Sequence, residues 1–437
     1  MNARHHSKGA RLGLALTGFL LLGTAAVAQQ PSDPQTVEQL LKRLADLEAR
    51  LKAVEGKNAE APKETPAPAS APAAAAQTPA SALSAADQAE ANAIIEQAAS
   101  GSTSGHMLGK LNIVGFSDMN VGRPLEANLP ATGVAGSHVS FALGDLSLFF
   151  TSQLSDKVSF YSELLITSDF TNLSTAEIDR VILQYKPNDY FQIGVGRFNT
   201  ALGYYTNGIN RAKIFQTATG RPFMYTDVDA GGLLPVHSIG VTMTGKIPSG
   251  WAGLHWVGEL SNGTASMTVG AAPDQNLYDE NNRKAYNVGL FVKPDKLDGF
   301  QAGVSVYRDR LEPAGRTAIN QNIVGAYAVY IRPRFEFLSE AAVVTDSPVT
   351  GGANYQSVTG YTQVSRRFGH LRPYLRLEYQ TVSPYDPIYP GLGVRKSFET
   401  GIRRDIGEFF AVKFQLGRTY WNGVWAFDPQ AQVSYTF

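Results

Sequence analysis

The chain has 437 residues, no cysteine, and 38 basic against 38 acidic residues. Without cysteine there is no disulfide framework and no thiolate metal site, which suits a polypeptide that crosses an oxidising compartment unfolded. The charge balance gives no support to nucleic-acid binding, which needs a clustered basic excess.

At the N-terminus, Arg4, Lys8 and Arg11 precede an apolar run from Leu12 to Val27, and Ala26-Val27-Ala28 forms an A-x-A cleavage pattern before Gln29. Residues 1–28 therefore read as a secretory signal peptide. Removing its three basic residues leaves 35 basic against 38 acidic, a net charge of about −3. No later stretch reaches the roughly 18 consecutive apolar residues of a spanning helix. A membrane protein built from this chain must be a β-barrel, because only helices and closed barrels satisfy their backbone polar groups in lipid.

Residues 37–55 carry a heptad pattern. Val37, Leu40, Leu44, Leu47, Leu51 and Val54 follow strict 3-4 spacing at a and d. Arg43 and Arg50 fall at g, and Glu48 and Glu55 at the following e, placed for interhelical pairs. The segments R-L-A-D-L-E (43–48) and R-L-K-A-V-E (50–55) resemble the trimerisation pattern of short parallel coiled coils, in which the arginine stem covers the apolar seam. The alternative is an amphipathic helix packed on the protein's own surface. At about 27 Å the helix is marginal alone, so it assists a trimer rather than creating one. Residues 56–108 read as a linker. Pro62, Pro66, Pro68, Pro72 and Pro79 alternate with alanine, which favours extended chain. A short Ala-rich helix is possible over 84–99, capped by Ser84, before the flexible Gly-Ser-Thr-Ser-Gly at 101–105.

From residue 109 the pattern predicts strands only: 109–120, 138–154, 157–168, 175–186, 190–198, 236–246, 252–261, 284–294, 299–309, 319–332, 333–346, 353–367, 371–382, 392–404, 408–418 and 427–437. The fold class is all-β: a transmembrane antiparallel β-barrel of about sixteen strands over 109–437, with an N-terminal helical coiled coil. The gaps alternate between short (155–156, 187–189, 369–370, 405–407) and long (121–137, 199–235, 262–283, 383–391). Short turns on one side and long loops on the other are the habit of outer-membrane barrels. An even strand number returns both chain ends to the periplasm.

Several strands show which face is wet. Leu371, Pro373, Leu375, Leu377 and Tyr379 alternate with Arg372, Tyr374, Arg376, Glu378 and Gln380. A charge on the lipid face at mid-bilayer costs about 2–4 kcal/mol, so the arginines face the lumen. The inward set over the last strands is Arg372, Arg376, Arg395, Arg403 and Lys413, against Glu378 and Glu399. It forms either a basic pore wall or charge–charge struts that brace the barrel. Lys396 sits awkwardly in the outward apolar set. The longest gap, 199–235, carries Tyr204, Tyr205, Arg211, Lys213, Arg221, Tyr225, Asp227 and Asp229, and is long enough to be functional. The basic wall is predicted to face this loop across a constriction. His106, His138, His237, His255 and His370 are not at metal-ligand spacing. No nucleophile–base constellation stands out, so neither an enzyme nor a cofactor is expected.

The chain ends F-D-P-Q-A-Q-V-S-Y-T-F (427–437), apolar at Ala431, Val433, Tyr435 and Phe437 and polar between. This closely resembles the C-terminal strand of Gram-negative outer-membrane proteins, whose terminal aromatic is read by the barrel-assembly machinery. As a whole the barrel resembles trimeric sixteen-stranded porins, in which the third outer loop folds into the lumen. The stretch G-R-F-N-T-A-L-G (196–203) is similar to the strand-5 exit of phosphate-selective and dicarboxylate-type porins, and the latter also carry an N-terminal coiled coil. The anion-site arginine pattern of the phosphate group is not recognisable. The resemblance implies a homotrimer in the outer membrane, in contact with lipid and lipopolysaccharide. It also implies passive diffusion of small hydrophilic solutes, with a mild anion preference. Two other readings stay open: a structural tether to the cell wall, and an eighteen-stranded sugar channel using Tyr204, Tyr205 and Tyr225.

Overall fold

Period-two alternation becomes a closed sheet in a computed structural model of the chain, which describes residues 111–122, 139–168, 172–209, 212–226, 232–265, 279, 281–313, 316–389 and 391–437. The chain divides into two units, Met1–Ala76 and Gln77–Phe437, and the described residues all belong to the second. The signal peptide, the linker and the heptads with Arg43, Glu48, Arg50 and Glu55 lie outside the described residues.

Sixteen strands follow in chain order. They are Leu111–Gly122 (β1), Ser140–Ser155 (β2), Val158–Ser168 (β3), Ser174–Asn188 (β4), Phe191–Asn199 (β5), His237–Ile247 (β6), Leu254–Ser261 (β7) and Ala285–Val292 (β8). They continue with Phe300–Leu311 (β9), Ile319–Arg332 (β10), Phe335–Pro348 (β11), Tyr355–Arg366 (β12), Leu371–Thr381 (β13), Val394–Ile406 (β14), Phe410–Trp421 (β15) and Val424–Thr436 (β16). Each pairs with its sequence neighbours, and β16 pairs antiparallel with β1, so the sheet closes. Closure removes the edges that an open sheet would expose. Each predicted strand matches an observed one within a few residues. The last begins earlier than expected, because the two-residue hairpin Asn422-Gly423, with φ of 45° and 95°, supplies the left-handed pair that a tight turn needs.

The connections segregate by end. Segments 123–139, 200–236, 262–284 and 382–393 lie at one end, with 169–173 and 422–423 as short exceptions. The other end holds 156–157, 189–190, 333–334, 367–370 and 407–409. On the outside, Leu377, Phe398, Phe414, Leu416 and Phe427 are exposed, a surface that suits hydrocarbon rather than water. On the inside, Arg372, Arg376, Glu378, Arg395, Glu399, Arg403 and Lys413 are buried.

The hydrophobic core sits inside the barrel. Ile323, Val329, Leu338 and Val344 point inward from β10 and β11 and pack against Leu202, Tyr205, Met224, Tyr225, Leu233 and Leu234 of the 200–236 loop. Both strands carry apolar residues on both faces, with Val324 and Val343 exposed outside. That is the pattern of a sheet covered on both sides.

The seam is made by the last residue. Gly115 and Phe437 exchange backbone hydrogen bonds, 2.9 Å each way. The Phe437 ring lies where a side chain on residue 115 would stand. Deleting Phe437 should remove both bonds and leave β1 partly unpaired. We expect the amount of folded, membrane-inserted barrel to fall several-fold, while the conductance of barrels that do assemble stays near wild type. Unchanged levels of heat-modifiable protein on gels would contradict this.

Candidate functional site

The site begins where β5 leaves the wall. Gly196 and Gly203 both have positive φ, 135° and 95°. A side chain on Gly196 would run into the Val181 carbonyl, and one on Gly203 into the Tyr225 hydroxyl and the Glu340 carboxylate. The two glycines of the G-R-F-N-T-A-L-G stretch thus let the chain turn inward and pass close to the far wall. Beyond them the loop makes one helical turn at Tyr205–Gly208 and 3-10 turns at Lys213–Phe215 and Phe223–Tyr225.

Glu340 of β11 holds the first part of the loop. Its carboxylate accepts the Tyr204 and Tyr205 amides at 2.7 and 3.0 Å, the Tyr225 hydroxyl at 2.7 Å and the Tyr361 hydroxyl at 2.6 Å. Four donors around one buried carboxylate stabilise its charge in a site from which water is excluded. Glu259 of β7 does the same on the near side, accepting the Ala201 amide at 3.1 Å and Asn287 at 2.8 Å.

Beyond Ala212 the loop lies along β12–β16, where the wall cations receive its carbonyls. Lys413 donates to the Lys213 and Ala218 carbonyls at 2.6 and 3.2 Å and to Gln432 at 2.8 Å, which uses all three ammonium protons. Arg403 donates to the Gln216 carbonyl at 3.0 Å, and Arg376 to the Gly220 carbonyl at 2.9 Å. Glu378 accepts the Phe223 amide at 2.5 Å, and the Arg395 guanidinium lies 3.7 Å from the centre of the Phe223 ring. Gln415 and Gln430 take the Thr219 amide and hydroxyl, at 3.3 and 2.6 Å. Among themselves the charges alternate: Arg376 meets Glu399 at 3.4 Å and Glu378 at 3.5 Å, Arg372 meets Glu336 at 3.7 Å, and Arg403 meets Asp405 at 2.7 Å.

This corrects the expected constriction. Arg376, Arg395, Arg403 and Lys413, with Glu378, do not face the loop across open water; the loop rests on them, while Arg372 is buried against Glu336 and the Pro333 carbonyl and Glu399 against Arg376. Arg372 is 1% exposed and Lys413 not at all. Tyr204, Tyr205 and Tyr225 are likewise buried, with Tyr205 and Tyr225 stacked on each other at 5.4 Å, so their faces are closed to a passing sugar. The eighteen-strand alternative falls with the sixteen-strand closure. Arg211, Asp227 and Asp229 lie outside the described residues.

Lys213 keeps part of its surface open, whereas the guanidinium nitrogens of Arg221 are buried. Lys213 reaches Asp145 of β2 at 3.8 Å, and Phe215 packs edge-on against Phe116 of β1 at 4.9 Å. On the wall beyond, Arg180 pairs with Glu163 at 2.7 Å and covers the Tyr161 ring at 4.6 Å. Nearer the short-turn end, Gln153, Ser159, Gln184, Gly194 and Thr242 follow one another in register across β2–β6. They form an uncharged polar strip on the inner face. The loop-holding carboxylates Glu259, Glu336 and Glu340 are absent from the sequence-derived set. Their signal was available: Glu336 and Glu340 share one face of β11, and a carboxylate pair there cannot face lipid.

Because the wall cations seat the loop, the Arg372/Arg376/Arg395→Ala triple variant should lose thermal stability, with a noisier and larger conductance, rather than merely exchange its ion preference. Glu340→Ala leaves four donors unpaired at about 1–3 kcal/mol each and should release the loop in the same way. Single-channel recording together with a melting curve checks both. A triple variant with wild-type melting and wild-type noise would contradict the seat.

No known family profile matches the chain, and neither does any curated protein. Solved structures do. The barrel is similar to the anion-selective porin from Comamonas acidovorans, with 12% identity and a TM-score of 0.52 over 75% of this chain and 100% of that one. It is also similar to the outer membrane channel DcaP of Acinetobacter baumannii, with 11% identity and a TM-score of 0.52 over 77% of this chain and 99% of that one. At this identity the likeness establishes a shared fold.

Proposed function

We propose that the protein is an outer-membrane diffusion channel for small hydrophilic solutes, working passively down the solute gradient. The observation that carries this reading is the irregular chain of 200–209, 212–226 and 232–236, held inside a closed barrel by the opposite wall. Irregular backbone at membrane depth persists only where protein buries it or where it borders a water-filled space. This segment narrows the lumen without giving it a binding pocket for chemistry. The polar strip Gln153–Ser159–Gln184 offers solutes hydrogen bonds without charge, and transport then depends on width and lining polarity.

A mild anion preference belongs to the same proposal, but its carriers change. The buried basic wall is neutralised by loop carbonyls and carboxylates. Among the described residues of this stretch of the lumen, the accessible charges are Lys213 and Arg180 against Asp145, whereas the Arg221 guanidinium is buried; Glu163, the partner of Arg180, is fully buried while Arg180 keeps 15% of its side chain exposed. In a narrow passage with low-dielectric walls, such an excess acts more strongly than in bulk water. A homotrimer, supported by the Arg43–Glu48 and Arg50–Glu55 heptads, and recognition of Phe437 by the assembly machinery complete the reading.

Planar-bilayer recording in a salt gradient tests it. The wild-type reversal potential should indicate modest anion preference, and Lys213→Gln with Arg180→Gln should move it toward cations, with an effect that shrinks as salt rises. No conductance from correctly folded protein would remove the channel reading. An unmoved reversal potential in the Lys213→Gln, Arg180→Gln variant would remove the assignment of its carriers. Native-gel migration as a monomer would remove the trimer.

A further inference from the structure

Lys396 is the residue that breaks the outward apolar pattern of β14, and the structure gives it company. It is exposed on the outer surface, and its ammonium lies 5.9 and 5.8 Å from the ring centres of Tyr379 and Tyr420 on the flanking strands. Arg418 of β15 is also exposed outward, 5.0 Å from the Trp425 ring. Lys396 stands opposite Tyr420, and Phe398 opposite Arg418, so the two cations are diagonal neighbours on adjacent strands. Diagonal neighbours lie about 7–8 Å apart, within joint reach of one anionic group. Neither makes an ion pair with a described residue, whereas Arg310 and Arg332 each pair with a carboxylate. Lys396 stands two residues and Arg418 three residues from the ends of their strands at the long-loop rim, where a charge on the lipid side costs little, about 0–1 kcal/mol.

A second observation lies directly beneath. On the same outer face, one step further from the rim, an open apolar groove of about 450 Å³ runs between β14, β15, β16 and β1. Thr400, Ile402, Phe414, Leu416, Pro429 and Ala431 line it. Thr400, Pro429 and Ala431 are small, and the larger Phe398 and Phe427 stand above them, so the groove opens below the cationic pair.

We propose that this face is a lipid site: Lys396 and Arg418 hold the phosphate of a phosphorylated, acylated lipid of the outer leaflet, and one of its acyl chains occupies the groove. The assignment rests on the outer-membrane reading above. Charge and shape point to one occupant. A cationic pair without a carboxylate partner takes an anionic head, its aromatic frame supplies the amphipathic rings favoured at the membrane–water interface, and an apolar channel leading inward takes a chain.

The test uses purified full-length protein in neutral detergent, with bound lipid counted by native mass spectrometry. The probes are diphosphoryl lipid A, dephosphorylated lipid A and inorganic phosphate. Wild type should retain diphosphoryl lipid A at least tenfold better than the dephosphorylated form. Lys396→Gln with Arg418→Gln should abolish that difference, while Arg404→Gln, an outward arginine at the other end of β14, should preserve it. Ala431→Phe, which fills the groove, should weaken both lipids. Equal retention of both lipids by wild type, or an unchanged difference in the double variant, overturns the proposal. So does displacement of lipid A by inorganic phosphate at equal concentration, which would mark a bare anion patch. A double variant that falls from oligomer to monomer with lipid retention unchanged would assign the face to a second copy of the chain, and would overturn it too. Conductance of the same samples in neutral-lipid bilayers is read separately. A wild-type protein that retains lipid A through its phosphate but does not conduct supports the lipid site while removing the channel.

Discussion

Buried backbone without regular structure must find hydrogen-bond partners, and that requirement organises the inside of this barrel. The chain leaves the wall at β5 and returns at β6, and its described stretches 200–209, 212–226 and 232–236 lie within the lumen. Its amides meet carboxylates: Ala201 on Glu259, Tyr204 and Tyr205 on Glu340, Phe223 on Glu378. Its carbonyls meet cations: Lys213 and Ala218 on Lys413, Gln216 on Arg403, Gly220 on Arg376. Leaving any of these groups buried and unpaired would cost several times what the pairing contributes. The wall therefore carries both signs of charge at fixed positions, and the loop has little freedom to lie elsewhere.

The same requirement commits much of an arginine-rich wall to holding the loop. A guanidinium that donates to a carbonyl and two carboxylates, as Arg376 does, is largely spent as a source of field. The charges we propose to act on a passing solute are those that keep open surface, here Lys213 and Arg180. The apolar half of the attachment complements the polar half. Leu202, Met224, Leu233 and Leu234 bury against inward residues of β10 and β11, so the loop is fixed by hydrophobic contact on one flank and by charge on the other. Burial of this kind is unusual within a barrel lumen and turns part of it into the core of a globular fold.

Outside, the constraint is reversed. Polar atoms must be few, and those present must lie near the rims. Lys396 and Arg418 obey this rule, with Tyr379, Tyr420 and Trp425 around them. At the opposite end of β16 the seam is completed by Phe437, whose backbone exchanges bonds with Gly115 and whose ring fits only because residue 115 has no side chain.

How many strands there are, which face of each is wet, and where the chain turns could be read from the residues themselves. These depend on period-two alternation, and the penalty for a charge in hydrocarbon is local to each side chain. Arg372 and Arg376 had to point inward whatever lay inside. The length of 199–235 and the glycines at 196 and 203 marked the loop as special. What alternation cannot carry is whether an inward charge meets water or another segment. That depends on where residues two hundred positions apart come to rest, as Lys213 and Lys413 do. The apolar inner faces of β10 and β11 and the carboxylates Glu336 and Glu340 held part of that information, but only as a departure from the barrel pattern. The tertiary structure alone decided that the basic wall is a seat and not a pore lining. A hydrogen bond between distant peptide groups leaves no periodic trace in either segment.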